Sequence, residues 1–194
     1  MDIVNIIPNM IPKMRQQMYN KCVPSLDYLY AEIERTGDFL SVKELDLFLA
    51  KFGIYLKSQE ITELINYTRD GDGSRINLIK FVYLFRRPVK KDVVVLLNKI
   101  FDRLSNSRPS MTFSDLINRL EIRQLPTAAL FRNNLDSMKD YVLNGFKLIL
   151  GEKNDIKREE FLEFHYNIYW VLPEELYDNF KRQLGKMWGI EESL

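Results

Sequence analysis

Acidic and hydroxyl side chains are concentrated in the stretch TRDGDGSRINLIKF, which covers positions 68–81. Asp70, Asp72 and Ser74 are separated there by glycines and carry carboxylate and hydroxyl oxygens, the ligand atoms that calcium takes in proteins. A calcium loop of this kind takes oxygens from positions 1, 3 and 5, a glycine at position 6 and a bidentate glutamate at position 12. The three side chains are therefore candidate metal ligands, although the stretch ends with Lys80 instead of an acidic residue.

This stretch can be aligned with a calcium loop in two ways, and neither alignment completes the set of ligands. With Gly73 at position 6, Asp70 falls at position 3 and Asp72 at position 5, but the loop is one residue too long. Its closing position is then Lys80, whose ammonium group repels a cation. With Asp70 at position 1, Phe81 stands where the glutamate belongs. We favour a polar turn rich in aspartate and glycine, and a weak calcium site is the alternative.

The same stretch belongs to a pattern that recurs along the chain. Four times, an apolar residue lies five positions before a Leu or Phe that opens an amphipathic segment, in the pairs Leu40 and Leu45, Ile76 and Phe81, Met111 and Leu116, Ile156 and Phe161. In a helix–loop–helix calcium hand, the first residue of such a pair forms a β-bridge with the partner hand and the second packs in the core. The pattern therefore predicts four units, with Leu40 bridging to Ile76 and Met111 to Ile156.

The segments around these loops have the periodicity of amphipathic helices. One stripe at helical spacing runs over three turns and consists of Val93, Leu96, Leu97, Ile100, Phe101 and Leu104. We predict an all-α protein with two lobes of paired EF-hands, four degenerate helix–loop–helix units in all, with short β-bridges between the loops. The predicted boundaries are an N-terminal arm at 1–24, an N-lobe at 25–88, and a C-lobe with a C-terminal helix at 89–194.

The other three predicted loops lack the ligands for calcium. Their first positions are apolar, namely Ile33, Leu104 and Ile149. Position 5 is cationic in two of them, where Arg108 and Lys153 stand in place of an oxygen ligand. Glu44, Asp115 and Glu160 keep an acidic residue at the closing position, but one carboxylate does not build a cage of six to eight oxygens.

Bulk composition narrows the classes of function. The net charge of +1 argues against a nucleic-acid or membrane partner. There is a single cysteine, Cys22, so no disulfide can form within the chain, and we expect a reducing, cytoplasmic compartment. No uncharged apolar run is long enough for a transmembrane helix, and no secretory signal is recognised.

Several segments resemble calcyphosin and calcyphosin-like EF-hand proteins. The segments are LAKFGIYLKSQEI, RDGDGSRINL, FRRPVKKDVVVLLNKIFDRLS and GKMWGI, and they follow one another as similar segments do in that family. The resemblance covers roughly residues 27–190 and implies the paired EF-hand fold. Family members mostly keep several loops with acidic ligands, whereas this chain departs at loop positions 1 and 12. The resemblance therefore carries a calcium-ligand role only onto Asp70, Asp72 and Ser74.

Three further features of the sequence bear on its function. The N-terminal arm, 1–24, is apolar, and two interpretations are left open: it packs on its own lobes, or it docks on a partner. His165 is the only histidine, and we interpret it as a packed helix residue instead of a metal ligand. No constellation of nucleophile, base and orienting group is recognised, so we predict that the protein is not an enzyme and needs no cofactor. A weak calcium site at the loop of Asp70, Asp72 and Ser74 is the alternative.

The expected function is that of a calcium-independent structural or adaptor protein. Because several calcyphosin-like and degenerate EF-hand proteins are parts of cilia and flagella, the resemblance implies a place in the axoneme, on the cytoskeleton. The implied partners are proteins, tubulin or other axonemal components among them. The alternatives are a weak calcium-responsive regulator and a light-chain-like subunit that clamps a helix of a partner.

Overall fold

The computed structural model describes residues 6–71, 73, 75–124, 134–151 and 153–189. Within these ranges the chain forms ten α-helices and four strands of three residues each, so the predicted all-α class is confirmed. The chain divides into two compact units. Unit 1 runs up to Arg87 and also takes in Trp170–Glu174, and unit 2 consists of Pro88–Tyr169 and the chain from Glu175 onward.

Unit 1 has a leading helix followed by two helix–strand–helix units. Their bounds are α1 (Ile6–Asn20), α2 (Asp27–Thr36), β1 (Phe39–Ser41), α3 (Val42–Lys51), α4 (Ser58–Thr68), β2 (Arg75–Asn77) and α5 (Leu78–Tyr83). Strands β1 and β2 pair antiparallel, and Leu40 lies opposite Ile76. The predicted pairing of these two residues is therefore confirmed, and both are buried in the core of unit 1.

Unit 2 repeats this arrangement and adds a final helix. Its elements are α6 (Lys91–Ser105), β3 (Ser110–Thr112), α7 (Phe113–Arg119), α8 (Leu135–Leu150), β4 (Asp155–Lys157), α9 (Arg158–Val171) and α10 (Tyr177–Met187). The last two residues of α9, Trp170 and Val171, belong to unit 1. Strands β3 and β4 pair antiparallel with Met111 opposite Ile156, as the repeat predicts. A 3₁₀ turn, Ile122–Gln124, begins the connector between α7 and α8.

Short polar side chains fix the starts of the helices that leave the strands. Asn77 Oδ1 accepts the Lys80 N–H at 2.9 Å, and Thr112 Oγ1 accepts the Asp115 N–H at 3.1 Å. These bonds satisfy backbone donors that the first turn of a helix leaves without an intrahelical acceptor. Each strand can therefore pass directly into a helix.

Helix α1 supplies three methionines to the core of unit 1. Met10, Met14 and Met18 are 1%, 0% and 0% exposed, and their spacing of four residues places them on one face of the helix. The sequence predicts that the N-terminal arm either packs on its own lobes or docks on a partner. In the structure, helix α1 of this arm packs on its own unit. The helix forms despite Pro12 in its interior, a residue that removes one backbone hydrogen bond.

The core of unit 2 contains the only histidine among its aromatic side chains. His165 is fully buried, its ring lies 4.4 Å from that of Phe161 and 5.6 Å from that of Trp188, and Phe164 meets it edge-on. Nδ1 is 2.7 Å from the Phe161 carbonyl oxygen, and the indole N–H of Trp188 donates to Nε2 at 2.9 Å. Desolvation lowers the pKa of His165 from 6.5 to about 4, so the ring is neutral at physiological pH.

Candidate metal-binding loops

The loop between α4 and β2, called loop two, uses the side chain of Asp70 to close its turn. The Asp70 N–H donates to the Arg75 carbonyl oxygen at 3.0 Å, and Asp70 Oδ1 accepts the Arg75 N–H at 3.2 Å. Gly73, at φ +74°, donates its N–H to the Asp70 carbonyl oxygen at 3.1 Å. Asp72 and Ser74, the other two candidate ligands, lie outside the described residues.

Lys80 directs its ammonium group back to the start of loop two. Its Nζ donates to the carbonyl oxygen of Arg69, the residue that follows α4, at 2.7 Å. Arg69 also bridges to Ile76, so this contact joins both ends of the loop. A divalent cation in the loop would meet a positive charge at the closing position, where a calcium loop has a carboxylate. Because Lys80 is exposed, solvent screens that repulsion but does not supply the missing ligand.

In the loop before α3, called loop one, the closing glutamate caps the start of that helix. Glu44 Oε2 accepts the Ser41 hydroxyl at 2.7 Å and the Ser41 backbone N–H at 2.9 Å. The hydroxyl bond, and after it the backbone bond, lowers the pKa of Glu44 below its ordinary value. The Glu44 carboxylate is therefore ionised at neutral pH, and it stabilises the first turn of α3 through these two hydrogen bonds.

The loop before α9, called loop four, combines capping with an ion pair. Glu160 Oε2 accepts the Lys157 N–H at 2.7 Å, and Glu160 Oε1 lies 3.7 Å from Lys153 Nζ. Lys153 stands at position 5, where calcium would need an oxygen ligand. The ammonium group and the closing carboxylate of this loop thus neutralise each other.

The loop before α7, called loop three, has the same pairing with a guanidinium group. Arg108 Nη2 lies 3.9 Å from Asp115 Oδ2, and Arg108 Nε donates to the Ser105 carbonyl oxygen at 2.9 Å. Asn106 and Ser107 adopt left-handed backbone angles, with φ of 52° and 60°. Asn tolerates this conformation better than most residues, so the loop turns without the glycine that a calcium loop places at its bend.

The four closing side chains therefore all contact groups of their own loop. Glu44 and Glu160 bond backbone donors, Asp115 and Glu160 meet cations, and Lys80 bonds a backbone oxygen. Among the residues that the structure describes, no three His, Cys, Asp or Glu side chains come together as a metal group. What the arrangement can do chemically is hold each loop closed with hydrogen bonds and ion pairs.

The sequence carries a signal for two of these contacts. In loops three and four, a cation at position 5 and an acid at position 12 lie seven residues apart, as Arg108 and Asp115, and as Lys153 and Glu160. In a loop whose ends converge, these two positions face the same interior, so their opposite charges indicate an internal ion pair. The bond from Lys80 to a backbone oxygen has no comparable signal.

Comparison with known proteins provides no family for this chain. The chain matches no family model and no curated protein. The resemblance to calcyphosin-like proteins therefore stays a prediction from the segments quoted above.

Proposed function

We propose that the protein is a calcium-independent structural or adaptor protein of the degenerate EF-hand type. The observation that carries this proposal is the hydrogen bond of 2.7 Å from the Lys80 ammonium group to the Arg69 carbonyl oxygen. This bond joins the two ends of loop two. The closing residues of the other three loops, Glu44, Asp115 and Glu160, likewise form hydrogen bonds or ion pairs within their own loops. Loops closed by their own side chains need no ion to keep their shape, and a change in calcium gives them no second state.

Support for two lobes of paired EF-hands comes from the pairing of the strands. In each unit, two helix–strand–helix segments are joined by an antiparallel contact of three residues, centred on Leu40 and Ile76 or on Met111 and Ile156. The fourth residue of each leaving helix is fully buried, namely Leu45, Phe81, Leu116 and Phe161. This is the placement that paired calcium hands give to their loop and helix residues.

The proposed place of action is the cytoskeleton, in the axoneme of a cilium or flagellum, with tubulin or other axonemal proteins as partners. This part of the proposal derives from the resemblance to calcyphosin-like proteins. The methionines of helix α1 fill part of the core of unit 1, and this supports a structural role for that unit. Among the described helices, none is both long and apolar enough to cross a membrane.

Stepwise extraction of a tagged copy from its native cells tests this function. The cells are treated with detergent and then with high salt, each step once with calcium and once with a chelator. We expect the protein to stay in the cytoskeletal pellet in all four conditions. Release that depends on calcium would favour the weak calcium-responsive regulator, and recovery in the first detergent supernatant would contradict a structural role.

A further inference from the structure

Besides its buried methionines, helix α1 forms polar contacts with the rest of unit 1. Lys13 Nζ donates to both carboxylate oxygens of Glu60, at 2.7 and 2.9 Å. The Gln17 side chain exchanges two hydrogen bonds with the backbone of Tyr55, donating to its carbonyl oxygen at 3.0 Å and accepting its N–H at 3.2 Å. A Cβ on Gly53 would lie 2.6 Å from the Cβ of Lys21, so the residue that follows α1 packs directly against that glycine.

Arg15 joins α1 to two other segments of unit 1. Arg15 is 5% exposed. Its Nη2 donates to the Phe85 carbonyl oxygen at 2.9 Å, and its Nε donates to the Trp170 carbonyl oxygen at 2.8 Å. Both carbonyls lie at or just beyond the end of a helix, where backbone oxygens lack an intrahelical donor. One buried guanidinium group therefore satisfies acceptors from two segments that are far apart in sequence.

Two further arginines of unit 1, Arg86 and Arg87, contact the segment Trp170–Glu174. The Trp170 indole N–H donates to the Arg87 carbonyl oxygen at 2.9 Å, and Arg87 Nη2 donates to the Leu172 carbonyl oxygen at 3.2 Å. The guanidinium group of Arg86 lies 5.1 Å from the centre of the Trp170 ring. This segment is thus attached to unit 1 by backbone, indole and cation–π contacts.

Helix α1 depends on these contacts for its own helical state. A helix of 15 residues is marginal in water, and an interior proline such as Pro12 weakens it further. When α1 leaves unit 1, it therefore loses helix and docking together. Arg15 then withdraws its donors from the Phe85 carbonyl oxygen, where the bond is buried, and from the Trp170 carbonyl oxygen, where it is half-buried.

We propose that α1 and the segment Trp170–Glu174 form one cooperative latch on unit 1, with Arg15 as their shared contact. Release of either segment weakens the hold on the other, because coupling between two sites is reciprocal. The closed latch covers Met10, Met14 and Met18, and the open latch exposes them to solvent. Unit 1 thereby has a conformational device that depends on two distant parts of the chain.

Weakening the returning segment tests one direction of this coupling. In the full chain, Trp170→Phe keeps an aromatic ring under Arg86 but removes the donor to the Arg87 carbonyl oxygen. We expect amide hydrogen exchange in α1 to become about tenfold faster, the effect of losing one half-buried hydrogen bond. Exchange in α3 of the same unit should keep its wild-type rate, since the latch opens without unfolding unit 1. Unchanged exchange in α1, or equal acceleration in α3, would overturn the proposal.

Weakening α1 tests the reverse direction. Lys13→Met removes the pair with Glu60 and touches no residue of Trp170–Glu174. In full chain labelled with 5-fluorotryptophan, we expect the ¹⁹F signal of Trp170 to shift or broaden, with the signal of Trp188 in unit 2 as an unchanged reference. The matched control, Lys51→Met, removes an exposed pair with Glu32 elsewhere in unit 1 and should leave both signals in place. A Trp170 signal that stays the same in Lys13→Met would show that the two segments are independent.

Discussion

Unit 2 is expected to lose about 3 kcal/mol of its free energy of unfolding as the pH falls from 6.5 to about 4. The neutral ring of His165 donates from Nδ1 to the Phe161 carbonyl oxygen and accepts the Trp188 indole N–H at Nε2. A proton on Nε2 would remove that acceptor, and burial disfavours the charge. Since the unfolded chain protonates near pH 6.5 and the folded chain near pH 4, protonation favours the unfolded state between these values, and below pH 4 this loss is complete.

Urea unfolding of the full chain at several pH values measures this loss, with the ¹⁹F signal of 5-fluorotryptophan at Trp188 as the reporter of unit 2. The control is His165→Gln, which keeps one donor and one acceptor but does not titrate. Asp92, whose pKa is lowered chiefly by its hydrogen bond with Lys181, contributes its own acid loss in both proteins, so that contribution cancels in the difference. The same dependence on pH in both proteins would contradict the assignment of the loss to His165.

Replacement of Met14 by alanine is expected to destabilise unit 1 by about 2–5 kcal/mol, the usual cost of removing a large buried side chain. Met14 is fully buried at the centre of the stripe that α1 contributes to the core. Met14→Leu conserves volume and apolarity and should cost under about 1.5 kcal/mol. The difference between the two variants isolates packing from the loss of the thioether.

The ¹⁹F signal of Trp170, which belongs to unit 1, follows this unfolding. If Met14→Ala proves as stable as Met14→Leu, α1 does not pack in solution as it does in the structure. The N-terminal arm would then be free for a partner, which is the other interpretation of its apolar sequence. A large difference between the variants assigns the arm to the core of its own unit.

Local spacing explains what could be predicted from the sequence. The pairs Leu40–Ile76 and Met111–Ile156 follow from an apolar residue at one fixed distance before each leaving helix, a pattern that lies within about a dozen residues. Helical periodicity likewise indicates α6, whose stripe is continuous. The polar caps on Asn77 and Thr112 are local features of the same kind.

Contacts between distant residues explain what could not be predicted. The segment Trp170–Glu174 belongs to unit 1 through bonds to Arg15 and Arg87, and no local pattern reports partners so far along the chain. Helix α1 is stabilised by its docking although Pro12 argues against a helix there. In loop two, the spacing identifies Asp70 as a candidate ligand, but only the fold reveals that Lys80 reaches the Arg69 carbonyl oxygen.

Calcium titration of the ¹⁵N-labelled full chain, followed by NMR at constant ionic strength, tests the central claim most directly. The claim is that the loops are closed by their own side chains and do not need the ion. We predict that no loop amide shows a saturable shift up to about 10⁻² M calcium, roughly tenfold above the range of the weakest calcium modules. A saturable 1:1 shift around Asp70 and Arg75, abolished by Asp70→Asn, would contradict the claim and identify loop two as a calcium site.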